Sequence, residues 1–101
     1  MADTTMIDET IADTEQRMGK AIEALQRELV RMVHKKVEDS RVAIRNVRRD
    51  AHELLRDLQR EKEISEDEEH RAQDQLQKVT DRFVGEADTV GKTKEEELLE
   101  V

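Results

Sequence analysis

Apolar residues recur three or four positions apart along most of the chain. Ile7, Ile11, Met18, Ile22, Leu25 and Leu29 form a first series. Val33, Val37, Ile44, Val47, Ala51, Leu54 and Leu58 continue it. Leu76, Val79, Phe83, Ala87 and Val90 form a last series that fades near Leu98 and Leu99. This spacing marks one face of an α-helix, where side chains three and four apart stack on the same side. The pattern predicts an all-α fold in one helical domain, residues 1–101. Its helices are expected over about residues 5–29, 30–62 and 65–99. Thr5 can cap the first, with Asp8 and Glu9 in the first turn where the helix dipole favours acids. Nothing between Glu28 and Val37 breaks a helix. The first clear stop is Glu63-Ile64-Ser65, and Ser65-Glu66-Asp67-Glu68 fits a capping box for the last helix. Gly85 and Gly91 weaken that helix, at roughly 1 kcal/mol each relative to alanine if interior.

Composition agrees with long helices. Ala, Glu, Lys, Leu and Arg supply 50 of the 101 residues, and there is no proline. A β fold would need more turn, β-branched and aromatic residues than this. The absence of cysteine removes disulfides and thiolate metal sites. The opening residues MADTTMIDET have neither a basic region nor an apolar run, so no signal peptide is expected. No stretch approaches the roughly 20 apolar residues of a membrane span. A cytoplasmic protein is the simplest expectation.

Charge changes the picture more. The net charge is −8, yet residues 31–50 hold 7 basic and 3 acidic side chains. Residues 1–30 hold 3 basic and 7 acidic, and residues 61–101 hold 6 basic and 14 acidic. Arg41, Arg45, Arg48 and Arg49 fall within three turns. At about 100° per residue, with Arg41 at 0°, they span roughly −20° to +80°. Arg31, His34, His52 and Arg56 fall in the same sector, interrupted by Glu38. Ile44, Val47, Ala51, Leu54 and Leu58 centre near −100°. The basic ridge therefore borders the core face, is expected to stay in water, and suits an anionic partner. Phe83 is the only aromatic residue, so there is no platform for stacking unpaired bases. Arginines on a rigid helix suit the phosphates of folded RNA instead.

Other chemistry is thin. Ser40 lies on the apolar side of its helix and Ser65 is a cap, so neither is read as a nucleophile, and no enzyme, cofactor or metal site is expected. His34 and His52 stand about 27 Å apart along one helix. His70 between Glu66 and Asp74 is read as an exposed histidine among acids, and Met18 and Met32 as core. The rival to an RNA-binding ridge is a purely structural coiled-coil or bundle module that binds another protein.

VAIRNVRRDA at 42–51, KEISEDEEHRAQDQLQKVTD at 62–81 and KEEELLEV at 94–101 resemble the second and third helices of the ribosome recycling factor family. IDETIADTEQRMGKAIEALQREL at 7–29 resembles its first, with a weaker motif. Family members carry a β-rich domain inserted between the first and second helices. Here the Arg-Thr-Gly-Arg element before it and the Thr-Glu-Glu-Arg-Arg run after it are both missing. The chain thus resembles the helical domain with the insert deleted. The resemblance implies a three-helix bundle that binds the large ribosomal subunit and its ribosomal RNA. Arg41, Arg45, Arg48 and Arg49 are the implied RNA contacts. It also implies work with elongation factor G in splitting ribosomes after termination, with that contact impaired by loss of the insert.

In the family fold the first two helices are antiparallel. Here the join Glu28-Leu29-Val30-Arg31-Met32-Val33 holds good helix formers and no turn residue. One fused helix is expected from about residue 5 to about 62, near 87 Å long. It cannot bury both halves of its stripe against one remaining helix. A domain-swapped homodimer would rebuild the three-helix bundle twice. The competing outcome is a monomer with a forced turn near Glu28 to Met32.

Overall fold

The computed structural model describes residues 3–100, so residues 1, 2 and 101 of the expected domain lie outside the described residues. Two helices account for nearly all of it: α1, Thr5–Arg60, and α2, Glu66–Leu99. The join at 28–33 is helical throughout, as its residues dictate. The forced turn is therefore absent, and the described residues form two helices, not a three-helix bundle. A hairpin at 61–65 turns the chain, and α2 runs back along the second half of α1. Side-chain bonds between the helices fall in antiparallel order: His52 with Gln73, Arg48 with Gln77, Arg41 with Asp88, His34 with Glu95 and Gln26 with Leu98. Residues 5–25 extend beyond α2 alone. The longest dimension is 96 Å, and the radius of gyration is 25.8 Å against about 13 Å for a compact chain of this length.

The helix ends show which local signals acted. Ser65 caps α2 as expected: its hydroxyl accepts from the Glu68 N–H at 3.0 Å, and its own N–H donates to the Glu68 carboxylate at 3.2 Å. At the start of α1 the expectation needs correction. Thr5 is the first helical residue, not the cap. The Asp3 carboxylate accepts from the Thr5 N–H at 2.9 Å, and hydrogen bonding by Thr5 holds the Asp3 carboxyl below its ordinary range.

α1 ends on a residue the sequence did not flag. Lys62 has φ 60°, the left-handed conformation that usually falls to glycine. Its N–H donates to the Gln59 carbonyl at 3.0 Å, and the Glu63 N–H donates to the Leu58 carbonyl at 2.9 Å. These two bonds are the Schellman pattern, which satisfies carbonyls left open by the last turn. A left-handed non-glycine residue costs roughly 1–2 kcal/mol, partly offset by glycine's greater freedom when unfolded. Lys62→Gly should therefore stabilise the hairpin by up to about 1 kcal/mol, read as a higher denaturant midpoint at unchanged slope.

The helices meet along a shallow seam. From α1 come Val30, Val33, Val37, Ile44, Ala51 and Leu55; from α2 come Ala72, Leu76, Thr80, Val84, Gly91 and Leu98. Steps of three, four and seven residues are those of a coiled-coil seam. Among the described residues only Thr80 and Gly91 are buried, and no large apolar side chain is. Met18, 66% exposed, and Met32, 47% exposed, are not core within one chain, contrary to expectation. α2 does not cover them.

Gly91 is buried where α2 lies close against Val37 of α1. A Cβ built there would run into Cγ2 of Val37, whereas one at Gly19 or Gly85 would meet nothing. Gly91→Ala would gain helix propensity of about 1 kcal/mol but force Val37 aside, and overpacking costs typically 1–3 kcal/mol. It is expected to lower stability, while Gly19→Ala and Gly85→Ala raise it by up to about 1 kcal/mol each, as chemical denaturation will show.

Candidate nucleic-acid interface

The position of α2 decides what happens to the basic ridge. On the wheel used above, the seam on α1 lies near −50°, between the apolar arc and the arginines. One edge of the ridge is therefore drawn against α2. Arg41 is only 33% exposed in its side chain; its Nε donates to Asp88 Oδ1 at 2.7 Å and its Nη1 to Glu38 Oε2 at 3.2 Å. Those bonds, Asp88 first, raise its pKa above the ordinary value. Arg48, seven residues on, lies across the same seam. Its Nη1 reaches Gln77 Oε1 at 3.5 Å, and its Nε is buried without a hydrogen-bond partner. The expectation that the whole ridge stays in water is thus corrected at Arg41 and Arg48.

Arg45 and Arg49 behave differently. Both are exposed. Neither makes an ion pair with any described residue. They sit near +40° and +80°, turned away from α2. Arg56 continues the line near +60°, exposed and also without an ion pair among the described residues. The other basic groups of the sector are engaged. Arg31 pairs with Glu28 at 3.0 Å, and His34 Nε2 lies 2.9 Å from Glu95. His52 Nδ1 lies 2.9 Å from Gln73 Oε1, and the Gln73 amide donates to the His52 carbonyl at 3.1 Å. The open ridge is therefore Arg45, Arg49 and Arg56, with Arg41 and Arg48 as its inner edge.

Sequence reasoning placed the four arginines on one helix correctly. It missed the partners on α2, Asp88 and Gln77, that divide them. The spacing Gln73, Thr80, Val84, Asp88, Gly91 held that signal, since it is the seam of α2. The other chemistry is sparse. His70 Nε2 lies 3.8 Å from Asp74, and among the described residues no cluster of His, Asp and Glu could hold a metal ion. No described helix is long and apolar enough to cross a membrane. The Arg82 guanidinium lies over the Phe83 ring, 5.0 Å from its centre.

Fold and site together define a class: a helical hairpin on an extended rod, carrying unpaired arginines on one exposed helix face. The family model described as ribosome recycling factor matches residues 17–99. The ribosome-recycling factor of Roseiflexus sp. (strain RS-1) is 56% identical over 79 residues, which is 78% of this chain and 43% of that protein. The one from Methylobacillus flagellatus is 54% identical over 84 residues, 83% of this chain and 45% of that protein. That of Syntrophobacter fumaroxidans is 52% identical over 75 residues, 74% and 40% of the two chains. The chain belongs to the ribosome recycling factor family. It spans less than half the length of these relatives.

Proposed function

We propose that this chain is the ribosome-binding helical part of a ribosome recycling factor. Arg45 and Arg49 lead its contact with large-subunit ribosomal RNA, with Arg41 and Arg48 at the inner edge. The observation that carries this reading is the pair of exposed guanidinium groups, free of ion pairs among the described residues, on a helix of a chain whose net charge is −8. A guanidinium already paired to a carboxylate must give up that bond to reach a phosphate; Arg45 and Arg49 need not. Their planar forks suit bidentate phosphate contacts, and the helix holds them about 6 Å apart along its axis. The acidic remainder of the chain restricts productive binding to this face. The role is binding in the cytoplasm, with no catalytic step assigned to any side chain. Elongation factor G is engaged poorly or not at all, because the residues that meet it in the family reside in the missing domain.

Cosedimentation with purified large ribosomal subunits tests this. The chain should pellet with them and be released as salt rises, since phosphate contacts displace counterions. A chain left in the supernatant at low salt would end the proposal.

A second reading, a coiled-coil module for another protein, draws on the bare apolar face of residues 7–25.

A further inference from the structure

We infer that this bare face is covered by a second copy of the chain, and that two copies pair antiparallel through their α1 helices, each laying its residues 5–29 into the other's groove. The face consists of Ile7, Ile11, Met18, Ile22 and Leu25, all between 50% and 66% exposed. On the α1 wheel they lie between about −100° and −160°. α2 occupies the other flank of the apolar arc, near −50°, and leaves the same −100° to −160° flank open along residues 33–54 as well. There two apolar clefts follow one another between the helices, one walled by Ile44 and Val47 of α1 with Val79 and Phe83 of α2, the other by Val37 of α1 with Ala87 and Val90 of α2; together they form the groove. Val47 is 69% exposed and Val90 also 69%. The molecule thus displays both an apolar helix and an apolar groove, and its own helix cannot reach its own groove. α1 runs straight through residues 28–33, so residues 5–25 point away from α2.

The dimensions agree. Residues 5–29 extend about 37 Å, and the open flank of α1 from Val33 to exposed Leu54, which carries the clefts, extends about 32 Å. A two-fold axis near Met32 lays one onto the other, and both copies are satisfied at once. The interface is closed and leaves no free end for further addition.

Area and charge support the same occupant. The accessible surface is 8452 Å², where a compact chain of 11.8 kDa would expose about 5,900 Å². An excess of roughly 2,500 Å² per chain matches what obligate homodimers bury, about 2,000–5,000 Å² in total. Residues 1–30 have 3 basic and 7 acidic side chains, and residues 31–50 have 7 basic and 3 acidic. Antiparallel pairing sets the acidic segment of one copy beside the basic segment of the other. Parallel pairing would set like beside like and leave both grooves empty.

Sedimentation equilibrium on the purified chain measures the mass. The expected value is twice 11.8 kDa, constant over a wide concentration range. A mass of 11.8 kDa overturns the inference, whether residues 5–29 fold back or wait for a different protein; so does any assembly larger than two. Orientation is read with a nitroxide on Glu9→Cys in this cysteine-free chain. Antiparallel copies place the two labels more than about 60 Å apart, and parallel copies within about 20 Å, which would overturn the pairing. Two variants then test the surfaces separately: Met18→Asp with Ile22→Asp on the segment, and Val47→Asp with Phe83→Asp in the groove. Each alone should be mostly monomeric at micromolar concentration. Mixed one to one they should form a heterodimer, because one segment and one groove in the mixed pair remain intact. No heterodimer from variants that each keep their helical circular dichroism overturns the reciprocal exchange.

Discussion

With Arg45 and Arg49 both changed to glutamate, the chain is expected to bind large ribosomal subunits about a hundredfold more weakly at fixed salt. A hydrogen bond to a charged group contributes roughly 1.5–3 kcal/mol net, so losing two removes at least about 3 kcal/mol, and each 1.4 kcal/mol is tenfold. The logarithmic salt slope should fall by about 1.8, since each phosphate contact contributes about 0.9. Helicity should be unchanged, because both side chains are exposed and make no hydrogen bond or ion pair with any described residue. Equal cosedimentation of variant and parent would remove these two residues from the interface. Arg48→Glu is a poorer probe. Its guanidinium lies in the seam, so loss of binding there would mix lost RNA contact with disturbed packing.

The chain is also expected to fail completely as the only recycling factor of a cell. Matching relatives are more than twice the length of the aligned part. Under the proposed function the ridge gives the chain a hold on the ribosome, while the residues expected to meet elongation factor G belong to the inserted domain that the chain's sequence does not contain. A strain depleted of its own factor, carrying this chain on a plasmid, should stop growing as depletion proceeds. Sustained growth would show that the helical part alone suffices. Binding without recycling has a corollary in the same strain: overexpressed chain should compete with the resident factor and slow growth before depletion, and Arg45→Glu with Arg49→Glu should relieve the effect.

The regular parts of this fold were legible in the sequence because each rests on a local cause. An apolar rhythm in steps of three, four or seven residues, with no glycine or proline from Lys20 to Arg60, favours one helix over a turn at the join. Ser65 and Glu68 write the start of α2 in their own chemistry. Other features depend on contacts between distant residues. The apolar arc of α1 is wide enough for α2 to settle on either flank, and nothing local says which. The choice of the −50° flank, sealed by Asp88 on Arg41 and Gln73 on His52, is what splits the arginine ridge. Gly91 reads as a weakness in a helix until Val37 is seen against it. Lys62 carries no sign that it will adopt a glycine's conformation; the hairpin imposes it.

The unbroken run of α1 through residues 28–33 makes the rod behave as a screw. Its two halves are geared together: the direction in which Ile11 or Met18 points is fixed by the direction in which Ile44 points, with no hinge to absorb an error. One residue added at this place would turn the first half by about 100° and advance it 1.5 Å, carrying the apolar stripe a quarter-turn or more away from the groove side. Seven added residues would bring it back to within about 20°. Register at this place is therefore a matter of thread as much as of length, and Leu25, Leu29, Val33 and Val37 carry the apolar stripe across it in four-residue steps.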